Sequence, residues 1–375
     1  MTIKLIIVSF VLTNISVVSK GFYSLRISNI EKTTSDCSII SFEIPESLVD
    51  TFSFIQGQYL TLKASINGKE VRRSYSLCSS PLDSEWKVGI KKVPGGKFST
   101  YANEILQVGD SLEVMSADGK FYTPIDSNTQ RNFAAFAAGS GITPMVSIIK
   151  THLASEPKST FKLFYVNQKA SSVILKEELE ALKNLYMERF EIYYFLTKQQ
   201  RNIPFLNGRI DKEKLEIIFK SICSVENIDH YFICGPEAMI HLINDYLIEK
   251  EVKKEQVHFE LFGTDYKAAD QKKESLANAF KGKACDLTII EGGKQMTFQM
   301  EQGANNVLDE ALNNSADLPF ACKGGVCATC KAKLIEGDVN MLLSYGLEPD
   351  EVEAGYILSC QAIPTSEKLV VDFDV

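Results

Sequence analysis

The sequence predicts a multidomain chain: an antiparallel β-barrel first, an α/β domain on a parallel sheet second, and a small α+β domain last. Three observations predict it. The chain has 375 residues, which at roughly 100–200 residues per domain leaves room for two to four. Its apolar rhythm switches near residue 130 from short alternating runs to alternating strand and helix. Four of its nine cysteines, Cys322, Cys327, Cys330 and Cys360, gather near the C-terminal end, while Cys37, Cys78, Cys223, Cys234 and Cys285 are scattered singly.

Composition narrows the class of protein. With 45% hydrophobic and 23% charged residues, the chain is an ordinary globular one, not a disordered or fibrous one. Charge is uneven: residues 284–375 hold five Lys/Arg and fifteen Asp/Glu, net −10, within a whole-chain net charge of −8. Such an acidic end disfavours nucleic acid and suits docking on a basic protein surface. Scattered, odd-numbered cysteines argue against a disulfide framework and for a reducing compartment, so a cytoplasmic protein is expected.

Residues 1–21 stand apart. MTIKLIIVSFVLTNISVVSKGF carries Lys4, an apolar run from Leu5 to Leu12, and Val17 and Ser19 spaced like a small-residue cleavage site, so it has the look of a weak signal peptide. The run is too short to span a bilayer. An upstream false start or a disordered extension is the preferred reading, and no stable membrane insertion is expected.

Residues 22–127 read as the barrel. SLRISNIEK, CSIISFEIP, GQYLTLKASING and EWKVGIKKV are short alternating runs parted by Asn-Gly, Pro and Ser turns. Residues 128–263 read as the α/β domain: FAAFAAG, TFKLFYVN, FEIYYFLT and YFICG alternate with helical text such as ITPMVSIIKTHLAS and PEAMIHLINDYLIEK. Residues 264–283 are polar and read as a linker. Residues 284–375 open with a hairpin around Gly292 and Gly293, followed by a short amphipathic helix, NNVLDEALNNS.

The cysteine text ACKGGVCATC has the spacing C-x4-C-x2-C, and 29 residues separate Cys330 from Cys360. That is the plant-type [2Fe–2S] ligand pattern. Wrapping two irons with three thiolates from one loop needs a tightly curled backbone, which Gly324 and Gly325 permit because they lack a Cβ. Free N–H groups of such a loop hydrogen-bond the sulfurs. A structural zinc site is the competing reading, although such sites usually show two C-x2-C pairs.

Four other stretches carry weaker signals. In RRSYSLCSSP (72–81), Arg73 suits a pyrophosphate, Tyr75 a ring face and Ser76 a ring nitrogen; a plain surface strand is the alternative. In VPGGKFS, Gly95, Gly96 and Ser99 stand at a helix start suited to phosphate. In AAGSGITPM, Gly139, Gly141, Thr143 and Pro144 turn a buried strand into a helix. In YFICGPEAM, Cys234, Gly235 and Pro236 lie at the tip of a later strand, and in a parallel sheet both tips face one ligand crevice.

In this order, and followed by the cysteine text, RSYS, GGKFS, GSGITP and CGPEAM resemble the ferredoxin-NADP reductase superfamily in its fused oxygenase-reductase form. The tail, ACKGGVCATCKAKLIEGDV with LEPDEVEAGYILSCQ, is most similar to the reductase subunits of phenylacetyl-CoA epoxidases. The resemblance covers residues 22–375. It implies a multidomain fold of an antiparallel β-barrel FAD domain, an α/β parallel-sheet nucleotide-binding domain and an α+β (β-grasp) 2Fe-2S ferredoxin domain.

It also implies roles. Arg73, Tyr75 and Ser76 hold FAD, with Gly95, Gly96 and Ser99 on its phosphates; Gly139, Gly141, Thr143 and Pro144 take the nicotinamide dinucleotide, with Cys234, Gly235 and Pro236 near the nicotinamide. Glu260 and Phe262 fall beside the flavin, and Tyr75, Ser76, Cys234 and Glu260 are the implied catalytic set. Relatives that use NADPH often carry Ser-Arg where this chain has Thr197-Lys198, and Arg where it has Gln168. Hydroxyl plus ammonium still binds a 2′-phosphate, without the arginine fork; NADPH is expected, NADH being the alternative. The implied partner is an oxygenase component with a di-iron centre, the epoxidase first and a ring hydroxylase or fatty-acyl desaturase second. A zinc-stapled nucleotide-binding protein without redox chemistry is the reading from a different class.

Overall fold

Hairpins that the turn chemistry dictates build the first domain. In the computed structural model, which describes residues 21–263 and 267–375, Asn67 and Gly68 both adopt positive φ (53° and 73°), as a two-residue hairpin turn matching strand twist requires. This turn joins β3 (Tyr59–Ile66) to β4 (Lys69–Ser76). With β1 (Tyr23–Thr34), β2 (Cys37–Glu43), β5 (Trp86–Lys91) and β6 (Ser111–Val114) they form an antiparallel sheet ordered β4-β3-β6-β1-β2-β5. A bridge between Leu77 and Val88 joins its two edges into a barrel. Leu25, Ile40, Leu60, Leu62, Ile90 and Phe98 fill the interior, each burial contributing about 1.5–3 kcal/mol. Helix α1 (Lys97–Glu104) closes one end. The signal-like segment lies outside the described residues.

The second domain has five parallel strands ordered β11-β10-β7-β8-β9: β7 (Asn132–Ala138), β8 (Thr160–Asn167), β9 (Phe190–Leu196), β10 (His230–Gly235) and β11 (Val257–Leu261). Strand β7 is apolar on both faces because helices cover both. Helices α2 (Ile142–Ser155) and α3 (Lys176–Leu185) pack on one face, and α4 (Lys212–Ile217) and α5 (Glu237–Glu249) on the other. Along β10 the side chains alternate accordingly, Phe232 and Cys234 into one core, Tyr231 and Ile233 into the other.

The stretch read as a linker contains helix α6 (Lys267–Ala279). Its Ala, Lys, Gln and Glu content favours helix even where few apolar residues mark a buried stripe. Lys272 Nζ donates to the Met341 carbonyl at 2.6 Å, which ties α6 to the last domain. There β12 (Ala284–Glu291) and β13 (Lys294–Glu301) form the expected hairpin, Gly292 and Gly293 both at positive φ. Helix α7 (Val307–Asn313), capped by Asn306, packs on a mixed sheet. Its order is β13-β12-β18-β14-β16, with β14 (Lys331–Glu336), β16 (Tyr356–Leu358) and β18 (Lys368–Asp372). A separate ladder pairs β15 (Val339–Met341) with β17 (Ala362–Pro364), and α8 (Pro349–Glu353) precedes β16. Among the described residues no helix is long and apolar enough to cross a membrane.

Candidate active site

The outward face of the β3–β4 hairpin is the platform on which the other two domains meet. Residues paired across an antiparallel ladder project to the same side, and the register pairs Tyr59 with Ser76, Thr61 with Ser74 and Lys63 with Arg72. Ser76 reaches the parallel-sheet domain: its Oγ donates to Glu260 Oε2 at 3.2 Å. Tyr59 reaches the cysteine loop, donating its hydroxyl to the Cys327 carbonyl and standing 3.3 Å from Thr329 Oγ1. Arg72 anchors the same loop: its guanidinium lies 4.2 Å from the Phe320 ring centroid and its Nη1 donates to the Leu318 carbonyl at 3.4 Å.

Arg73, one residue on, faces the other way and is exposed, its Nη1 bonded to the Arg72 carbonyl at 2.7 Å. Tyr75 shares that side and packs its ring 5.6 Å from Phe98. Gly95 has φ 73° with open space about it, and Gly96 is the N-cap of α1. The Ser99 hydroxyl accepts from the Val93 N–H at 3.2 Å and donates to the Gly96 carbonyl at 3.4 Å. It is therefore committed to shaping this loop, as is the Gly96 N–H, which donates to the Val93 carbonyl at 3.0 Å.

The strand tips of the second domain converge as expected. Cys234 is paired with Ala137 on one side and Glu260 on the other. Gly141 sits so close to β10 that a Cβ there would lie 2.1 Å from the Cys234 carbonyl oxygen, while Gly139 takes φ 53°. The Thr143 hydroxyl donates to the Ser140 carbonyl at 3.0 Å, and Thr143 and Pro144 are buried in the first turn of α2. At Gly235 a Cβ would meet Met239 and Ala138, and Pro236 caps α5. This bare turn leaves the backbone open to close approach by a ligand. Thr197 and Lys198 donate backbone N–H bonds to Asn167 and Gln168 (2.9 and 2.8 Å), so the residues read as the 2′-phosphate pocket are neighbours.

Burial shapes the electrostatics here. It pushes the Glu260 carboxyl up to about 8 even though the Ser76 hydrogen bond favours the charged form, and the nearby Cys327 adds to the rise. Glu260 therefore carries a proton at neutral pH. Burial likewise holds the Cys234 thiol far above its ordinary value, making it a neutral packing group rather than a nucleophile. Phe262 lies beyond the end of β11 and is 44% exposed.

The four tail cysteines stand as two pairs. Cys322 neighbours Cys327, and Cys330 neighbours Cys360. Two pairs suit a two-iron cluster, in which each iron takes two protein sulfurs. Lys323, Gly325 and Ala328 all adopt positive φ, curling the chain so that the Gly324 N–H donates to Cys322 Sγ at 3.2 Å. Gln361 Nε2 adds a contact to Cys360 Sγ at 3.8 Å. Backbone and side-chain donors aimed at sulfur are the surroundings a cluster requires.

Comparison with known proteins agrees domain by domain. Residues 24–123 match the oxidoreductase FAD-binding domain, 136–245 the oxidoreductase NAD-binding domain and 289–365 the 2Fe-2S iron-sulfur cluster binding domain. The chain is 40% identical over 353 residues to a component of the 1,2-phenylacetyl-CoA epoxidase of Escherichia coli K12, covering 94% of this chain and 98% of that one. The chain belongs to the oxygenase reductases of the ferredoxin-NADP reductase superfamily. Another relative is the ferredoxin reductase component of the Rhodococcus rhodochrous 3-ketosteroid-9-alpha-monooxygenase, 32% identical, covering 93% of this chain and 96% of that one. Among solved structures, phthalate dioxygenase reductase shares the fold, with a TM-score of 0.58, 23% identity and coverage of 94% and 98%.

As a member of this family the chain is an oxidoreductase that uses FAD, a nicotinamide dinucleotide and a [2Fe–2S] cluster, and the zinc reading falls. The residues that the sequence did not single out are those joining domains. Arg72 was legible in principle, since consecutive residues of a strand face opposite sides. Tyr59 gave no signal, and Glu351 reads from the sequence, with Asp350 and Glu353, as part of the acidic surface for docking an outside acceptor. Glu351, within the acidic tail, pairs with Lys120 of the barrel at 2.6 Å and with Lys331 at 2.8 Å, so it secures the dock instead of facing an outside partner.

Proposed function

We propose that this reductase carries electrons from NADPH to a di-iron oxygenase of the phenylacetyl-CoA epoxidase type, along the route NADPH → FAD → [2Fe–2S] → oxygenase in phenylacetate degradation. The observation that carries the reading is the meeting of Ser76, Glu260 and the Cys327 loop at one place, which puts hydride entry and single-electron exit side by side. FAD, when bound, supplies the conversion of a two-electron hydride into single electrons.

The chain's own residues do the rest. Arg73 and the turn at Gly95 and Gly96 bind the FAD phosphates, Tyr75 lies against its ring, and Ser76 stands at the ring edge beside Glu260. Gly139, Gly141, Thr143 and Pro144 seat the dinucleotide, Lys198 and Thr197 hold the 2′-phosphate, and Cys234, Gly235, Pro236 and Phe262 bound the nicotinamide site. Glu260 holds its proton at the carboxyl and excludes a buried negative charge. Cys322, Cys327, Cys330 and Cys360 bind the cluster. Five cysteines outside the cluster are buried and free, which supports a cytoplasmic setting.

The test is reconstitution with oxygenase components. NADPH consumption coupled stoichiometrically to phenylacetyl-CoA oxidation is expected. Higher kcat/KM with a ring-hydroxylating or steroid-oxidising oxygenase would replace the epoxidase by the second client, a reading that the 32% identical steroid-monooxygenase reductase favours.

A further inference from the structure

Tyr59 is buried, with 6% of its surface exposed, in a small cluster with Ala321, Cys322 and Cys327. Its backbone is held by a reciprocal pair of bonds: its N–H donates to the Asp118 carbonyl at 2.9 Å, and the Asp118 N–H donates back to its carbonyl at 3.1 Å. Its ring lies flat where Gly119 has no side chain, because a Cβ there would come within 3.1 Å of Tyr59 Cδ1. The ring is therefore locked, and its hydroxyl is fixed on the Cys327 carbonyl and near Thr329. Across the ladder its partner is Ser76, on the same face of the sheet.

We propose that Tyr59 is the positioning residue that registers the cluster loop against the flavin site and provides the hydrogen-bonded bridge between them. The inference rests on the assignment of Ser76 to the flavin and Cys327 to the cluster. One continuous path then runs from Ser76 through the β3–β4 ladder to the Tyr59 ring, its hydroxyl and the Cys327 carbonyl. Electronic coupling decays more slowly through bonds and hydrogen bonds than across gaps, so a locked donor on a ligand residue shortens the effective path. In the step itself one electron leaves the flavin and one ferric iron of the cluster becomes ferrous. The phenol is a hydrogen-bond donor before and after, so no proton leaves Tyr59. A donor on the Cys327 peptide also makes its surroundings more positive, which favours the reduced cluster.

The experiment uses the full-length holoprotein and Tyr59→Phe, which keeps the ring and removes the donor. Stopped-flow mixing with NADPH separates flavin reduction from cluster reduction, and a redox titration followed by EPR reads the cluster potential. Expected are an unchanged flavin-reduction phase, at least fivefold slower cluster reduction, a cluster potential shifted to more negative values, and unchanged iron content. Cluster reduction within twofold of the parent with an unmoved potential overturns the proposal, as does slowing that occurs only with loss of iron. A parent protein lacking flavin or cluster bands overturns the assignment on which the proposal rests; bands present with an indifferent Tyr59→Phe overturn the role of Tyr59 alone.

Discussion

Ser76 and Glu260, 184 positions apart in sequence, share a 3.2 Å hydrogen bond from Oγ to Oε2, and this bond is where the barrel and the parallel sheet close on each other. Both partners are held by strands whose registers leave little freedom: Ser76 opposite Tyr59, Glu260 opposite Cys234.

Glu260 is neutral at pH 7 because burial lifts its carboxyl to about 8. A neutral neighbour adds no charge to a ring that is receiving electrons, whereas a carboxylate repels them. The rate of flavin reduction by NADPH should therefore fall as pH rises through about 8. Glu260→Gln should flatten that profile while changing the rate at pH 7 by less than about tenfold, a barrier change of roughly 1.4 kcal/mol.

Gly141→Ala should separate dinucleotide binding from flavin binding. The new methyl group would stand 2.1 Å from a backbone carbonyl oxygen, and backbone cannot swing aside as a side chain does, so the turn must shift at a cost of about 1–3 kcal/mol. Dissociation constants for NADPH measured by difference spectroscopy should rise at least tenfold, with the visible flavin spectrum retained.

Lys198→Ala removes the one cationic side chain of the Thr197-Lys198 pair. If it holds the 2′-phosphate, KM should rise about tenfold for NADPH and less than twofold for NADH, the difference being worth roughly 1 kcal/mol. Equal effects on both would remove Lys198 from that role.

Cys360→Ser should abolish the cluster and leave the flavin. Cys360 comes from the strand side of the site and completes the Cys330 pair, so one iron loses half its protein sulfurs. Iron and sulfide analysis should fall from two of each per chain toward zero, with flavin reduction by NADPH preserved.

Glu351 governs how firmly the last domain docks. Burial opposes its ionisation, yet hydrogen bonds from Lys120 and Lys331 and from the Glu348 N–H hold the carboxyl at about 2 against an ordinary 4.5. Its contribution is then complete above pH 4.5 and lost as pH falls toward 2. Lys120 is 59% exposed, so solvent screening limits the pair to about 0.5–1 kcal/mol. Glu351→Gln should lower the temperature of cluster bleaching at pH 7 by a few degrees, and the gap from the parent should narrow as pH falls below about 4.5.

By itself the sequence determined the order and type of the domains, the grouping of the four tail cysteines and the tight turns at strand ends. These are local matters: a C-x4-C-x2-C loop, an Asn-Gly hairpin, a glycine between strand and helix each act within about ten residues, where spacing alone dictates geometry. Helix α6 escaped notice because its helical preference lies in propensity, not in an apolar stripe. The tertiary structure alone decided that Ser76 meets Glu260, that Tyr59 reaches Cys327, and that Glu351 faces Lys120 and not an outside partner. Those contacts join residues 184, 268 and 231 positions apart. Which side chains meet across such distances follows from strand register and domain packing, which are set by the burial of whole faces and leave no periodic mark at the residues that touch.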